Sequence, residues 1–233
     1  MTKTNQYEES WKLYKTHSDF FEYDFDYYYN FSKDKKTLEA FAGYGRLTNF
    51  LHSKKANLHA NELSPELASF IQIPNANVHV GDFLEFMTQE KFERIIIAYN
   101  SFCLITDETK AKEMFSKIES LLIPGGLVSL SYYHPDFWPD SNIYEFKYEG
   151  DIVKYHSDFD LSKRASKSGI WEDIYEFKGN TYKHNYNVRI YENKDDLKKL
   201  IAHTKLKIVD EIKNYNDKRI MEEGWTEYVL KLV

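Results

Sequence analysis

The chain has one cysteine, Cys103, in 233 residues, so neither an intrachain disulfide nor a multi-cysteine zinc site can be built from it. Only 5 prolines and 9 glycines argue against a fibrous or low-complexity chain. Basic residues form no long block and the formal net charge is −6, which speaks against a nucleic-acid partner. No apolar run approaches membrane-spanning length, so no membrane partner is expected. The opening MTKTNQYEESW is polar and acidic rather than a secretory signal, and a cytoplasmic location is the expectation. His156, His184 and His203 stand at no metal-ligand spacing, so no metal is expected. Internal repeats and flexible linkers are absent as well.

Hydrophobic residues, at 42%, suffice for a core in one domain with an inserted subdomain. Aromatics reach 17%, with 19 tyrosines, more than an ordinary core needs. An aromatic-lined pocket, a Tyr-rich homodimer interface or Tyr-rich solvent faces would each account for the surplus. Many of these aromatics crowd residues 5–31, where no single period fits well.

The chain is organised around 36–51, KTLEAFAGYGRLTNFL. It reads as a buried strand over 37–41, a glycine turn at Gly43-Tyr44-Gly45, and a helix from Arg46. Glycines there admit a ligand close to the backbone, and free N–H groups at a helix start favour an electron-rich group. Strands follow at 56–60, 77–80, 94–99 and 127–132. Helices start at Ser64-Pro65, with Ser64 as N-cap, and at Asp107. Alternating strands and helices imply a parallel, doubly wound sheet with its ligand at the strand C-terminal ends. From 143 to 191 the period changes to two, with turns at Glu149-Gly150-Asp151 and Lys178-Gly179-Asn180, so a small antiparallel insertion is expected. A helix over 194–203 and strands over 205–212 and 227–233 close the chain.

The ordered pieces LEAFAGYGRLT, NELSPE, VGDFLEF, RIIIAYNSF and LLIPGGLVSLSYYHPD resemble the class I methyltransferases that use S-adenosylmethionine (SAM), and more narrowly their small-molecule N-methyltransferase branch. The resemblance implies an α/β, Rossmann-like, doubly wound seven-stranded sheet with the antiparallel insertion as lid. It divides the chain into an N-terminal cap (1–35), a SAM-binding core (36–140 and 192–233) and the insertion (141–191). It implies SAM as methyl donor, S-adenosylhomocysteine as product and a small-molecule acceptor, an amine nitrogen ahead of an oxygen. In that family frame Glu39 holds the methionine ammonium, and Ala42, Gly43, Tyr44 and Gly45 form the turn around it. Glu62 takes the ribose hydroxyls, Leu63 packs on the adenine, Asp82 accepts from its amino group, and Phe83 supplies an aromatic wall. Tyr99 and Asn100 lie near the sulfonium and the nucleophile; His134 and Tyr14 are the further catalytic candidates.

Phe41 departs from the family pattern, which has a glycine there, and its side chain must turn away from the cofactor. An NAD-linked oxidoreductase is the weaker alternative, since Thr48 stands where a third glycine would be wanted. A catalytically silent protein on the same fold is the other. Cys103 is expected to be buried rather than nucleophilic.

Overall fold

The computed structural model describes residues 3–137, 143–217 and 224–233, with side chains from Ser10 onward. Two compact units emerge: 23–137 with 191–233, and 1–22 with 138–190. The segment read as one N-terminal cap, 1–35, is therefore divided at Tyr23, and the expected boundary at 140/141 lies outside the described residues.

In chain order the elements are α1 (Lys3–Ser18), α2 (Phe25–Ser32), β1 (Lys36–Ala40), α3 (Arg46–Ser53), β2 (Asn57–Glu62), α4 (Pro65–Ala68), β3 (Val78–Val80), β4 (Phe92–Ile97), α5 (Glu108–Leu121) and β5 (Leu122–Tyr133). Then come β6 (Tyr144–Tyr148), β7 (Asp151–Asp160), β8 (Ser168–Phe177), β9 (Asn180–Arg189), α6 (Lys194–Ile201), β10 (Leu206–Lys213) and β11 (Trp225–Leu232). None of the described helices is long and apolar enough to cross a membrane.

The larger unit holds a seven-stranded sheet in the order β10-β11-β5-β4-β1-β2-β3. Strands β1 to β5 run parallel, while β11 lies antiparallel to both β5 and β10. Leu38, Ala40, Ile95, Ile96 and Ile97 are sealed from solvent, as strands covered on both faces require. Helix α5 starts where Asp107 accepts from the Lys110 amide, and it buries Ala111, Met114, Phe115, Ile118 and Leu121 at three- and four-residue spacing. Ser64 caps α4 through the Leu67 amide, with Pro65 in the first turn.

One part of this core is polar. Glu227 on β11 is fully buried, and its Oε2 accepts from Tyr28 at 3.0 Å and Ser129 at 2.6 Å. Burial pushes its carboxyl up to about 8, against the lowering effect of the Ser129, Ser131 and Tyr28 hydroxyls.

The smaller unit is a four-stranded antiparallel sheet, β6-β7-β8-β9, with α1 packed on one face. Leu13 enters a cluster with Val153, Tyr155, Tyr175, Phe177 and Tyr182. These residues alternate along each strand, so the period-two reading gives both the strands and their inner face.

Candidate active site

The first crossover, from β1 to α3, builds the turn. Phe41, Gly43 and Gly45 all take left-handed φ, at 59°, 58° and 83°. Gly43 has open space where a Cβ would stand. At Gly45 a Cβ would meet Ile71 at 3.0 Å, so that glycine serves close packing. The alternating left-handed backbone survives even where glycine is missing, and a phenylalanine in it carries about 1–2 kcal/mol of strain. The Phe41 ring turns onto Phe83, with centroids 5.4 Å apart.

Two carboxylates stand at the tips of β1 and β2. Glu62 is buried, and each of its oxygens accepts one backbone amide: Gly43 at 2.7 Å and Ser64 at 2.8 Å. The charge is thus fixed in place, with a lone pair left on each oxygen. Glu39 is also buried and takes a hydrogen bond from the Thr48 hydroxyl. Burial pushes its carboxyl up to about 7, against the lowering effect of Thr48 and Arg46. A carboxylate so enclosed, with a hydroxyl as its close donor, lacks the cation that would complete it.

The other predicted cofactor residues are distributed as follows. Ala42 and Tyr44 are buried in the turn, the Ala42 amide donating to the Asn61 carbonyl at 2.9 Å. Leu63 is exposed at the tip of β2. Asp82 is exposed, and its Oδ1 caps the short turn after it through the Leu84 amide at 2.9 Å. Phe83 is buried beneath Phe41 rather than presented as an open wall.

At the end of β4, Tyr99 and Asn100 are both left-handed, with φ of 53° and 60°. Two such non-glycine residues in succession mark stored backbone strain. The Asn100 Oδ1 accepts from the Cys103 thiol at 3.0 Å and the Tyr133 amide at 3.3 Å, which ties β4 to β5. Cys103 is buried as expected, and burial raises its thiol well above the ordinary range. The Tyr99 ring lies between the Arg46 guanidinium, 5.3 Å from its centroid, and Trp225, at 5.6 Å and 22°.

His134 follows β5. Its Nε2 donates to the Glu192 carbonyl at 2.9 Å, which leaves Nδ1 as the acceptor, with the Asp136 amide 3.3 Å away. Both ring nitrogens thus have partners within the larger unit. Tyr14 belongs to the smaller unit, where it stacks on His184 with centroids 5.8 Å apart.

Sequence reasoning missed the Arg46–Asp24 pair, buried and bidentate at 2.9 and 2.5 Å, which pins the approach to α2 onto the start of α3. It also missed Trp225, which packs on Tyr99, Tyr133 and Tyr215. Arg46 directly after the glycine turn was the available signal; nothing local marks Asp24 or Trp225. Gly224 sets Trp225 in place. A Cβ there would lie 2.5 Å from the Tyr133 ring and 2.8 Å from Phe137, at a φ of 143°. Gly224→Ala is expected to lower the melting temperature by roughly 2–12 °C, from about 1–3 kcal/mol of overpacking. Scanning calorimetry reads this, and an unchanged midpoint would mean that the Tyr133 ring moves aside freely.

No protein-family model matches the chain, and no curated protein matches it in sequence. Solved structures do. A SAM-dependent methyltransferase from Clostridium acetobutylicum superposes with TM-score 0.73 at 18% identity, covering 95% of this chain and 98% of that one. The sugar N-methyltransferase KedS8 from Streptoalloteichus gives 0.72 at 15%, covering 93% and 90%. The SAM-bound amino pentose methyltransferase CalS10 from Micromonospora echinaspora gives 0.67 at 14%, covering 88% and 87%. The chain has the class I methyltransferase fold, with the antiparallel sheet as its second element.

Proposed function

We propose that this chain, built on the class I methyltransferase fold, transfers a methyl group from SAM to a small-molecule acceptor, with an amine nitrogen as the receiving atom. The observation that carries the reading is Glu39, a buried carboxylate at the tip of β1 that no cationic side chain meets in an ion pair among the described residues. The methionine ammonium of SAM supplies that cation. Glu62, held by amides from two directions, offers its remaining lone pairs to the ribose hydroxyls. Gly43 leaves the room that the methionine tail requires. Asp82 keeps Oδ2 for the adenine amino group, and exposed Leu63 covers the base.

Bound SAM supplies a methyl on a sulfonium leaving group that is already activated. The chain's task is to exclude water and to hold the acceptor in line, an orientation effect worth about 7–11 kcal/mol in favourable cases. Tyr99, fixed between Arg46 and Trp225, forms a rigid wall beside the strand tips. Asn100 spends its carbonyl oxygen on Tyr133 and Cys103, so its amide nitrogen is the group left to donate toward an acceptor. A neutral amine needs at most a weak base to take its proton. Both nitrogens of His134 are engaged, which suits a positioning role better than a base.

The NAD-linked alternative is disfavoured on two observations. Thr48 uses its hydroxyl on Glu39 at the contact where a dinucleotide fold wants glycine. Strand β11 also enters antiparallel between β5 and β10, unlike the all-parallel dinucleotide order.

Calorimetry with SAM and S-adenosylhomocysteine tests the reading directly, and absence of binding at millimolar cofactor would end it. Glu39 adds a pH signature. In the free protein its carboxyl titrates near 7, and only the ionised form holds an ammonium. SAM affinity is therefore expected to fall about tenfold per pH unit below 7 and to level off above it until the ligand's own ammonium loses its proton. The Glu39→Gln variant, and 5′-methylthioadenosine with wild type, should both show a flat profile. A wild-type profile without slope would remove Glu39 from the ammonium site.

A further inference from the structure

The smaller unit contains a carboxylate that the methyl-transfer reading does not use. Ser157, Asp173 and His184 face one another across β7, β8 and β9, and the next rung along the same face is Phe159, Trp171 and Tyr186. Asp173 is 5% exposed. Three donors converge on one of its oxygens: the Tyr155 hydroxyl, the Ser157 hydroxyl and the Trp171 indole N–H, each 2.9 Å from Oδ1. Oδ2 accepts from none of the described residues.

That asymmetry is informative. A buried acid serving only to pin strands together would be expected to satisfy both oxygens, because each unmet lone pair costs desolvation. Here one oxygen is held from three directions and the other is left open. No lysine or arginine forms an ion pair with Asp173 among the described residues. The two nearby histidines do not compensate it either. His17, packed 3.8 Å from the Tyr155 ring, is driven down to about 4 by burial, and burial lowers His184 as well. The neighbouring rung carries half-buried aromatic rings, with Phe159 edge-on to Trp171 at 4.7 Å, Tyr186 across the strand from Trp171, and Tyr14 of α1 6.4 Å from Tyr186.

We propose that this face of the antiparallel unit binds an organic cation, an ammonium group on an apolar body, with Asp173 Oδ2 accepting from the N–H groups and the Trp171, Phe159 and Tyr186 rings covering the carbon skeleton. A fixed carboxylate next to aromatic faces favours such a ligand over a neutral one through both ion pairing and cation–π attraction. Binding at Asp173 stands on this unit alone and is independent of the methyltransferase reading above.

The test uses the full chain and the indole N–H resonance of Trp171, assigned through Trp171→Phe. Titration with 2-phenylethylamine at neutral pH is compared with titration by its neutral isostere, 2-phenylethanol. The amine is expected to shift the resonance and to bind about 10- to 100-fold more tightly than the alcohol, as one charge-assisted contact implies. Asp173→Asn should abolish that preference while keeping the melting temperature of wild type or raising it. Equal affinity for amine and alcohol in wild type, or no shift with the amine, overturns the proposal without recourse to any variant. Collapse of Asp173→Asn on its own would assign Asp173 to the fold and count against it. Calorimetry with S-adenosylhomocysteine on the same samples separates the two readings. Cofactor binding lost in wild type sinks methyl transfer and leaves the cation site, whereas amine binding lost with cofactor binding intact does the reverse.

Discussion

Glu62→Ala is expected to weaken S-adenosylhomocysteine binding by at least about a hundredfold. Two charge-assisted hydrogen bonds to ribose hydroxyls, at about 1.5–3 kcal/mol each, account for that loss. A second contribution follows from the free structure, because the Gly43 and Ser64 amides both lose the acceptor that orients the glycine turn. Glu62→Gln should fall between, since the amide can still accept from Gly43 but carries no charge. Calorimetric titration measures both variants, and circular dichroism confirms that they are folded. Affinity within threefold of wild type for Glu62→Ala would place the ribose elsewhere and undo the assignment of the β2 tip.

The second large effect is on stability. Asp24→Ala removes the carboxylate that pairs bidentately with a guanidinium lying over the rings of Phe25 and Tyr99. Breaking one side of a buried ion pair costs about 3–5 kcal/mol, because the other charge is left without compensation. For a chain of this length that corresponds to a fall in melting temperature of roughly 6–20 °C. Replacing the pair as a unit, Asp24→Ala with Arg46→Met, is expected to recover much of the loss. A shift under about 2 °C for Asp24→Ala would show that Arg46 reaches water, and Tyr99 would then lose its fixed backing. Binding and folding are linked here, since Arg46 is also the first residue of the helix that follows the glycine turn.

Glu39 contributes to stability with the opposite sign from an ordinary paired acid. Its carboxyl is raised by burial, so the folded chain retains a proton that the unfolded chain gives up above the usual carboxylate range. The free protein therefore loses stability as pH rises from about 4.5 to about 7, by on the order of 3 kcal/mol in total. A bound ammonium would relieve this cost, and that is the physical sense of placing an unpaired acid at a ligand site.

Much of the fold was legible in the order of residues because its signals are local. Ser64 and Asp107 cap helices as their residue types require, Ile95 to Ile97 form a strand too apolar to face water, and the alternation after Tyr144 gives an antiparallel sheet. The carboxylates of Glu39 and Glu62 at adjacent strand tips were readable too, since strand, turn and helix follow one another within a short stretch. Other features needed the chain in three dimensions. Phe41 occupies a left-handed position that its own preference disfavours, and only packing against Phe83 shows where its ring goes. The partition of 1–35 between two units depends on which distant strands each half meets, because aromatic spacing alone does not choose between them. Asp24 with Arg46, Glu227 with Tyr28, and Asp173 with Tyr155 and Ser157 are pairings between separate elements. The sequence determined the periods, caps and turns, whose energetics act over a few neighbouring residues. Tertiary structure alone decided which buried charges found partners and which were left open, because that depends on the solvent and side chains that remote segments exclude or bring.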